Sequence, residues 1–448
     1  MDKRAFLKVC AAAMAQPVLW PLRSWNMDTK LKNWAGNLEF STDRLYSAHS
    51  VDDVREYVRK QDKLKVLGTR HCFNDIANSK DDFLSVISMN DVIGLDPKAG
   101  SVTVGAGMTY GKLSPWLHSK GFALHNLASL PDISIAGACT TATHGSGEKN
   151  GNLSTAVSAI EFVKANGDLV TLSRSRNGDA FHGAVVGLGA LGVITKLTLD
   201  VQPTYTVRQF VYENMPLEEI KNHLDEIESA AYSVSLFTDW QNQRINEVWF
   251  KVRDGDGKPF DAPTEFFGAR RAMRNLHPIA ALSAENCTEQ MGVPGPWYDR
   301  LPHFRIGFTP SAGKELQTEY FVARKNAVDA ILAVEQLHEQ ISPHLLITEI
   351  RTIAADKLWL SPCYEQDSVT IHFTWKPEWD AVKALMPVIE KQLAPFNSRP
   401  HWAKLFTVPA EELRSKYARV PEFIQLARSF DPQGKFRNEF LNKYIFGS

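Results

Sequence analysis

The chain has 448 residues, 44% hydrophobic and 23% charged, enough to bury a sizeable core and, at this length, to form two domains. Fifty Lys and Arg against 51 Asp and Glu leave a net charge of -1, which provides no field for nucleic acid or an anionic membrane. Five cysteines, at 10, 72, 139, 287 and 363, make no CxxC pair and no metal-ligand spacing, so isolated buried thiols are expected rather than disulfides or a metal site.

Residues 1–24 read as a leader. KRAFLK from Lys3 to Lys8 and the small, apolar run VCAAAMAQPVL fit the charged and hydrophobic regions of an export signal, with Ala13-Met14-Ala15 as a cleavage site. The segment resembles a twin-arginine signal with Lys3 in place of the first Arg, which predicts a periplasmic or secreted protein. The other reading is an amphipathic N-terminal helix on a cytoplasmic protein. No later stretch approaches a membrane-spanning length, so no membrane partner is expected.

From Ser41 to Gly68 the pattern is strand, helix, strand, and SVTVGAGMTYGKLSPWLHSKGFAL from Ser101 continues as strand, turn and helix. Ala159–Leu172 gives two alternating runs across Asn166-Gly167, a hairpin signal. Between these lie the two stretches around which the chain is organised. VLGTRHCFND, Val66–Asp75, is an apolar run ending in a tight turn at Gly68 and Thr69; LASLPDISIAGACTTATHGSG, Leu127–Gly147, supplies further glycine turns. Such turns bring backbone close to a ligand, and their N–H groups can hold an anion. His71 stands at the mouth of the first turn, although a single loop histidine is by itself unremarkable.

Gly187–Gly192 spells GLGALG, a literal match to the dinucleotide fingerprint. That fingerprint needs a strand before it and a helix after it, because the helix N-terminus holds the diphosphate. Here the β-branched, alternating VITKLTLDV follows, a strand, so a Rossmann site is rejected.

After Gln202-Pro203 the pattern changes. YTVRQFVYE, YSVSLFTDW and INEVWFKVR read as strands with LEEIKNHLDEIE as a helix between the first two, giving an antiparallel sheet with helices on one face. Gly255–Pro296, with its prolines and glycines, reads as a long irregular connection of the kind that covers a site. LLITEIRTI places Glu349 and Arg351 on one face of a strand, and VTIHFTWK places Thr370, His372, Thr374 and Lys376 on one face with Val369, Ile371, Phe373 and Trp375 on the other. The polar faces are either the solvated side of a half-buried sheet or the wall of a ligand-binding pocket.

GTRHCFN resembles the GSxHSF element of the aldonolactone and alditol oxidases, flavoproteins of the vanillyl-alcohol-oxidase superfamily, and the chain after the leader is similar to this group throughout. The resemblance implies an α+β fold. Residues 25–203 would form a PCMH-type FAD-binding domain of two α/β subdomains, 204–395 an antiparallel substrate (cap) domain, and 396–448, through DPQGKFRNEFL, a segment returning to cover the FAD domain. It implies FAD bonded covalently to His71, and a cofactor site made by Val66, Leu67, Gly68, Thr69, Arg70, Cys72, Ser129, Ser134, Gly137, Thr141, Ala142, Thr143 and His144, with Val193 and Ile194 on the adenine side through their backbone. PHWAKLF resembles the HWGK motif of the group, with Ala403 in place of Gly and Lys404 facing the flavin. By the same resemblance Glu349, Arg351, Thr374 and Ser129 would bind substrate hydroxyls, and His372, Arg351 and Lys404 would be catalytic, with His372 the base.

The reaction implied is oxidation of a terminal hydroxyl of an acyclic polyol such as xylitol or sorbitol to the aldose, with O2 reduced to H2O2 by a monomer. The pairing of EIRT with IHFTW, and ASLP before the glycine turns, favours this over a sugar-1,4-lactone oxidase or dehydrogenase of the same architecture, which shares the histidyl and HWxK elements. An exported polyol-binding protein without chemistry is disfavoured because His71, His372 and Lys404 are all present.

Overall fold

The structure is a computed structural model that describes residues 30–256, 260–308 and 314–447. The leader, with Cys10, lies outside the described residues. The other four cysteines are free and buried. Among the described residues no helix is long and apolar enough to cross a membrane.

The chain opens with strand β1 (Leu45–Ser47), helix α1 (Val51–Lys60) and strand β2 (Leu64–Leu67). Ser50 caps α1 in a reciprocal box with Asp53, and Val54 and Val58 form its buried face. β1 and β2 are not neighbours: β3 (Asp82–Ser85) lies between them, parallel to both. The sequence does not signal this insertion, because a four-residue strand with Phe83, Leu84 and Ser85 all buried carries no alternation.

A second sheet has the order β4 (Val92–Asp96), β5 (Ser101–Gly105), β8 (Val193–Asp200), β6 (Val157–Val163), β7 (Leu169–Ser173), antiparallel throughout. The expected hairpin is β6–β7, turning at Gly167 with φ +84°. GLGALG follows a helix, Arg174–Val185, and leads into β8, the reverse of the dinucleotide order, which bears out its rejection.

The later half is built on a ten-stranded sheet whose long members run in the order β9 (Thr206–Pro216), β11 (Arg244–Arg253), β10 (Ser233–Thr238), β13 (Leu345–Ile353), β14 (Ser368–Trp375), β12 (Leu316–Ala323). Helices Leu217–Glu228, Ala327–Glu335 and Trp379–Leu393 cover one face, where Ile220, Ile331 and Ile389 meet Val248, Ile350, Ile371 and Phe373 in one core. Alternation then forces Glu349, Arg351, His372 and Thr374 to the opposite face. That face is not solvated: every residue of β14 is buried. Lys376, beyond the strand end, leaves the pattern and donates to the Pro343 carbonyl instead.

The face is covered by the first half of the chain. Gly147 pairs with Ile353, and Asn150 Nδ2 donates to the Tyr232 carbonyl. The C-terminal helices return to the first core, in which Phe423, Leu441 and Ile445 pack with Val102, Ile135 and Leu197. Asp431 closes this segment by accepting from the backbone N–H groups of Lys435 and Phe436 at 2.7 and 2.9 Å.

Candidate active site

The two glycine-rich stretches interlock. Ser134 N donates to Thr69 Oγ1 at 3.2 Å, and a Cβ on Gly68 or Gly137 would stand 2.5 or 2.7 Å from Ser134 Oγ. Neither glycine tolerates a side chain without displacing that hydroxyl. Arg70, immediately before His71, has φ 60°, and Leu188 in the GLGALG turn has φ 50°, left-handed conformations that cost a non-glycine residue about 1 kcal/mol or more. These loops line one continuous cleft, which Glu319, Glu349, Arg351, His372 and Thr374 also line.

His71 lines the cleft with its ring against Trp34, centroids 4.2 Å apart. Burial and the Lys404 cation push its pKa to about 3, so the imidazole is neutral and carries a free lone pair. The HWAK turn is bonded onto this loop. Phe73 N donates to the Ala403 carbonyl at 2.7 Å, and Asn74 Nδ2 donates to the carbonyls of Trp402 and Lys404 at 2.8 and 2.6 Å. Ala403 is not among the residues with positive φ, so the position does not require the glycine of the usual motif.

Facing the loops is the polar side of the large sheet. Register places Phe237, Glu349, His372 and Glu319 in one row across β10, β13, β14 and β12, with Thr374 opposite Gln317 in the next. Lys404 Nζ donates to Gln317 Oε1 and lies 3.5 Å from His372 Nε2, which is 3.2 Å from the same oxygen. Gln317 Nε2 donates to Glu315 Oε1 at 2.5 Å, which turns the amide so that its oxygen faces Lys404 and His372. Arg351 Nη2 donates to Glu319 Oε1 at 2.8 Å, and His144 Nε2 stands 3.1 Å from that oxygen.

Burial pushes His372 down to about 3, with Lys404 adding to the shift. Burial also lowers Lys404 to about 8 against the opposing field of Glu319. Burial by itself would raise both Glu319 and Glu349, but His144 and Arg351 beside the first and Arg351 and His303 beside the second hold both carboxyls below the usual range. The floor therefore carries the carboxylates of Glu319 and Glu349 together with a guanidinium, an ammonium and a neutral imidazole. His372 Nδ1 and Arg351 Nε have no hydrogen-bond partner, and such buried polar atoms call for a ligand or a reason.

The cleft brings together Val66, Leu67, Gly68, Thr69, Arg70, His71, Cys72, Ser129, Ser134, Gly137, Thr141, Thr143, His144, Ile194, Glu349, Arg351, His372, Thr374 and Lys404. Two expected cofactor residues do not line it. Ala142 packs into the first core at φ 56°, and the Val193 side chain lies in the core around α1 while its backbone pairs with Val163. His144, expected at the cofactor, reaches across to Glu319 of the opposite sheet.

Several residues on the cleft were not singled out in the sequence. Gln317 and Glu319 alternate in LQTEYFVA as Glu349 and Arg351 do in their strand, a signal that was legible. His303, Phe304 and the turn His277-Pro278-Ile279, from within and just beyond the long connection, also line the cleft, but no pattern marks them. Lys65 donates to the carbonyls of Leu188, Gly189 and Phe436, tying the GLGALG turn to the C-terminal segment.

The fit to FAD rests on these features. Two glycines are held open against Ser134, a neutral histidine lies on the cleft wall, and Lys404 stands beside it.

Comparison with known proteins agrees. Residues 43–173 match the family model of the FAD binding domain, and residues 311–444 that of D-arabinono-1,4-lactone oxidase. An alditol oxidase from a Streptomyces species is 41% identical over 94% of this chain and all of its own length. Mouse L-gulonolactone oxidase is 26% identical over 93% of this chain and 98% of its own. Among solved structures, cholesterol oxidase from B. sterolicum superposes with a TM-score of 0.75 at 15% identity, covering 96% of this chain and all of the other, a likeness of fold alone. The chain belongs to the alditol oxidases, in the aldonolactone oxidase group of FAD-dependent flavoproteins with the PCMH-type fold.

Proposed function

We propose that this protein oxidises a terminal hydroxyl of an acyclic polyol to the aldehyde, using FAD bonded to His71 and O2 as final acceptor, which becomes H2O2. The observation that carries the reading is the floor opposite the histidyl loop, where Glu349, Arg351, His372, Thr374 and Lys404 offer buried acceptors and donors with few protein partners. Such a floor rejects analogues lacking hydroxyls more strongly than it discriminates by size, because unmatched buried polar groups are costly.

When bound, FAD supplies the electrophilic ring that takes a hydride from carbon and passes the electron pair to oxygen. The chain's own residues handle the proton and the charge. Gln317 Oε1 accepts from His372 Nε2 at 3.2 Å, which leaves Nδ1, the nitrogen without a partner, to receive the proton of a substrate hydroxyl. The carboxylates of Glu349 and Glu319 on either side in the row stabilise the imidazolium so formed. Lys404, which lies 5.0 Å over the Phe73 ring and is bonded through its own carbonyl to Asn74, holds positive charge beside the His71 loop, where negative charge arrives with the hydride. Ser129, Glu349, Arg351 and Thr374 orient the remaining hydroxyls.

The neutral ring of His71 supports the covalent bond, since only an unprotonated nitrogen can bond to carbon. The leader-like residues 1–24 support export to the periplasm or beyond, to be checked by N-terminal sequencing of the protein recovered outside the cytoplasm.

The test is anaerobic reduction of the yellow protein by xylitol, sorbitol and gulonolactone in parallel, followed by admission of air. Rapid bleaching by the polyols and stoichiometric peroxide on aeration are expected. Bleaching by the lactone alone would replace the polyol reading with a lactone oxidase, and a bleached protein that air does not restore would make it a dehydrogenase.

A further inference from the structure

Behind Glu349 a chain of buried polar groups leads away from the cleft. His303 Nε2 is 2.7 Å from Glu349 Oε1, and His303 Nδ1 is 3.1 Å from Nζ of Lys251, a residue of β11 only 1% exposed, which also donates to the Leu301 carbonyl. The direction of each bond follows from what the end groups can do. The carboxylate of Glu349 can only accept, and burial holds the His303 ring neutral down to about 4, so its single proton is donated from Nε2 and Nδ1 accepts from Lys251 Nζ. The tautomer is thereby fixed from the Glu349 side. The ring cannot turn away, because the edges of Phe237 and Trp249 enclose it at centroid distances of 5.4 and 5.2 Å.

The consequence falls on Glu349. Its Oε1 is occupied, while Oε2 has only Arg351 Nε nearby, at 3.6 Å, too long for a hydrogen bond. A carboxylate free to rotate beside a guanidinium closes onto it as a two-bond fork. His303 prevents that closure. It keeps Arg351 turned to Glu319 through Nη2 and leaves Oε2 of Glu349 available. We propose that Lys251 and His303 are positioning residues that hold Glu349 as a single-oxygen acceptor for a substrate hydroxyl and so set the affinity for the polyol. The proposal rests on the polyol reading above for the identity of the hydroxyl, but its geometry does not.

The test uses the flavin-loaded full chain and reads the anaerobic reduction rate against xylitol concentration, which separates affinity from the limiting rate. His303→Leu should weaken apparent binding about 10- to 100-fold, the range for a lost hydrogen bond to a charged group, and leave the limiting rate within about threefold. His303→Gln, whose amide supplies one donor and one acceptor, should restore binding to within about fivefold of the parent. Lys251→Met should fall between them. Flavin content and melting temperature verify that each variant is folded.

Unchanged affinity in His303→Leu, or a His303→Gln variant as impaired as His303→Leu, overturns the proposal. If only gulonolactone reduces the parent protein, the polyol reading fails and the same variants are titrated with the lactone, so the two failures are distinct. Nitrogen NMR of the His303 ring, identified by its loss in His303→Gln, gives a readout without turnover. The proton is expected on Nε2, and a proton on Nδ1 would also overturn the assignment.

Discussion

The two walls of the cleft are built by different means. The wall from the first half is made of loop backbone: Gly68, Ser134 and Gly137 interlock with almost no space between them, and left-handed residues at Arg70 and Leu188 shape the turns. The wall from the later half is made of side chains on rigid strands, with Gln317, Glu319, Glu349, Arg351, His372 and Thr374 drawn from three of them. A ligand that is always the same can be held by backbone, which offers close approach but little choice. A substrate must be oriented atom by atom, and that needs side chains whose own partners fix them.

The contrast breaks most completely at His71, where the loop wall contributes a side chain. His71→Ala should release all yellow colour into the supernatant on acid precipitation, where the parent retains it in the pellet; retained colour would move the covalent bond elsewhere. On the strand wall the largest effect is expected from His372→Ala. It should keep its full flavin complement while reduction by polyol slows by about 100- to 10,000-fold, the usual contribution of a positioned base. Stopped-flow bleaching at the parent rate would remove it from that role.

Lys404 sits where the walls meet, and its charge should be visible in pH profiles. Burial lowers its pKa to about 8, so the ammonium is present below that pH and lost above it, and the limiting rate should fall as pH rises through about 8. Lys404→Arg, which stays charged, should lose this basic limb even if it is slower throughout. No acid limb near 6.5 is expected from His372, whose ring stays neutral down to about 3.

The smallest effect sharpens the loop wall. Gly68→Ala places a methyl 2.5 Å from Ser134 Oγ but 3.5 Å from its Cβ. It should lower flavin incorporation and cost about 1–3 kcal/mol of stability as an overpacked contact. Adding Ser134→Ala should recover most of both, because the clash is with the hydroxyl alone. Failure of the double variant to recover would mean that the Ser134 hydroxyl itself is needed at the cofactor.

The sequence by itself determined the loop wall and the polarity of the strand wall. Contiguous motifs such as VLGTRHCFND are legible because a turn is specified by its own neighbours, and period-two alternation in LLITEIRTI and VTIHFTW fixes which side chains share a face whatever the sheet packs against. It also excluded the Rossmann reading of GLGALG, because helix and strand order is local. Only the tertiary structure decided that the polar face is closed over rather than solvated, that β3 inserts between β1 and β2, that His144 reaches Glu319, and that Lys251 and His303 stand behind Glu349. These are contacts between residues far apart in the chain. Their bonds are set by where distant segments of the chain meet, and nothing in the local spacing of a lone lysine or histidine carries that information.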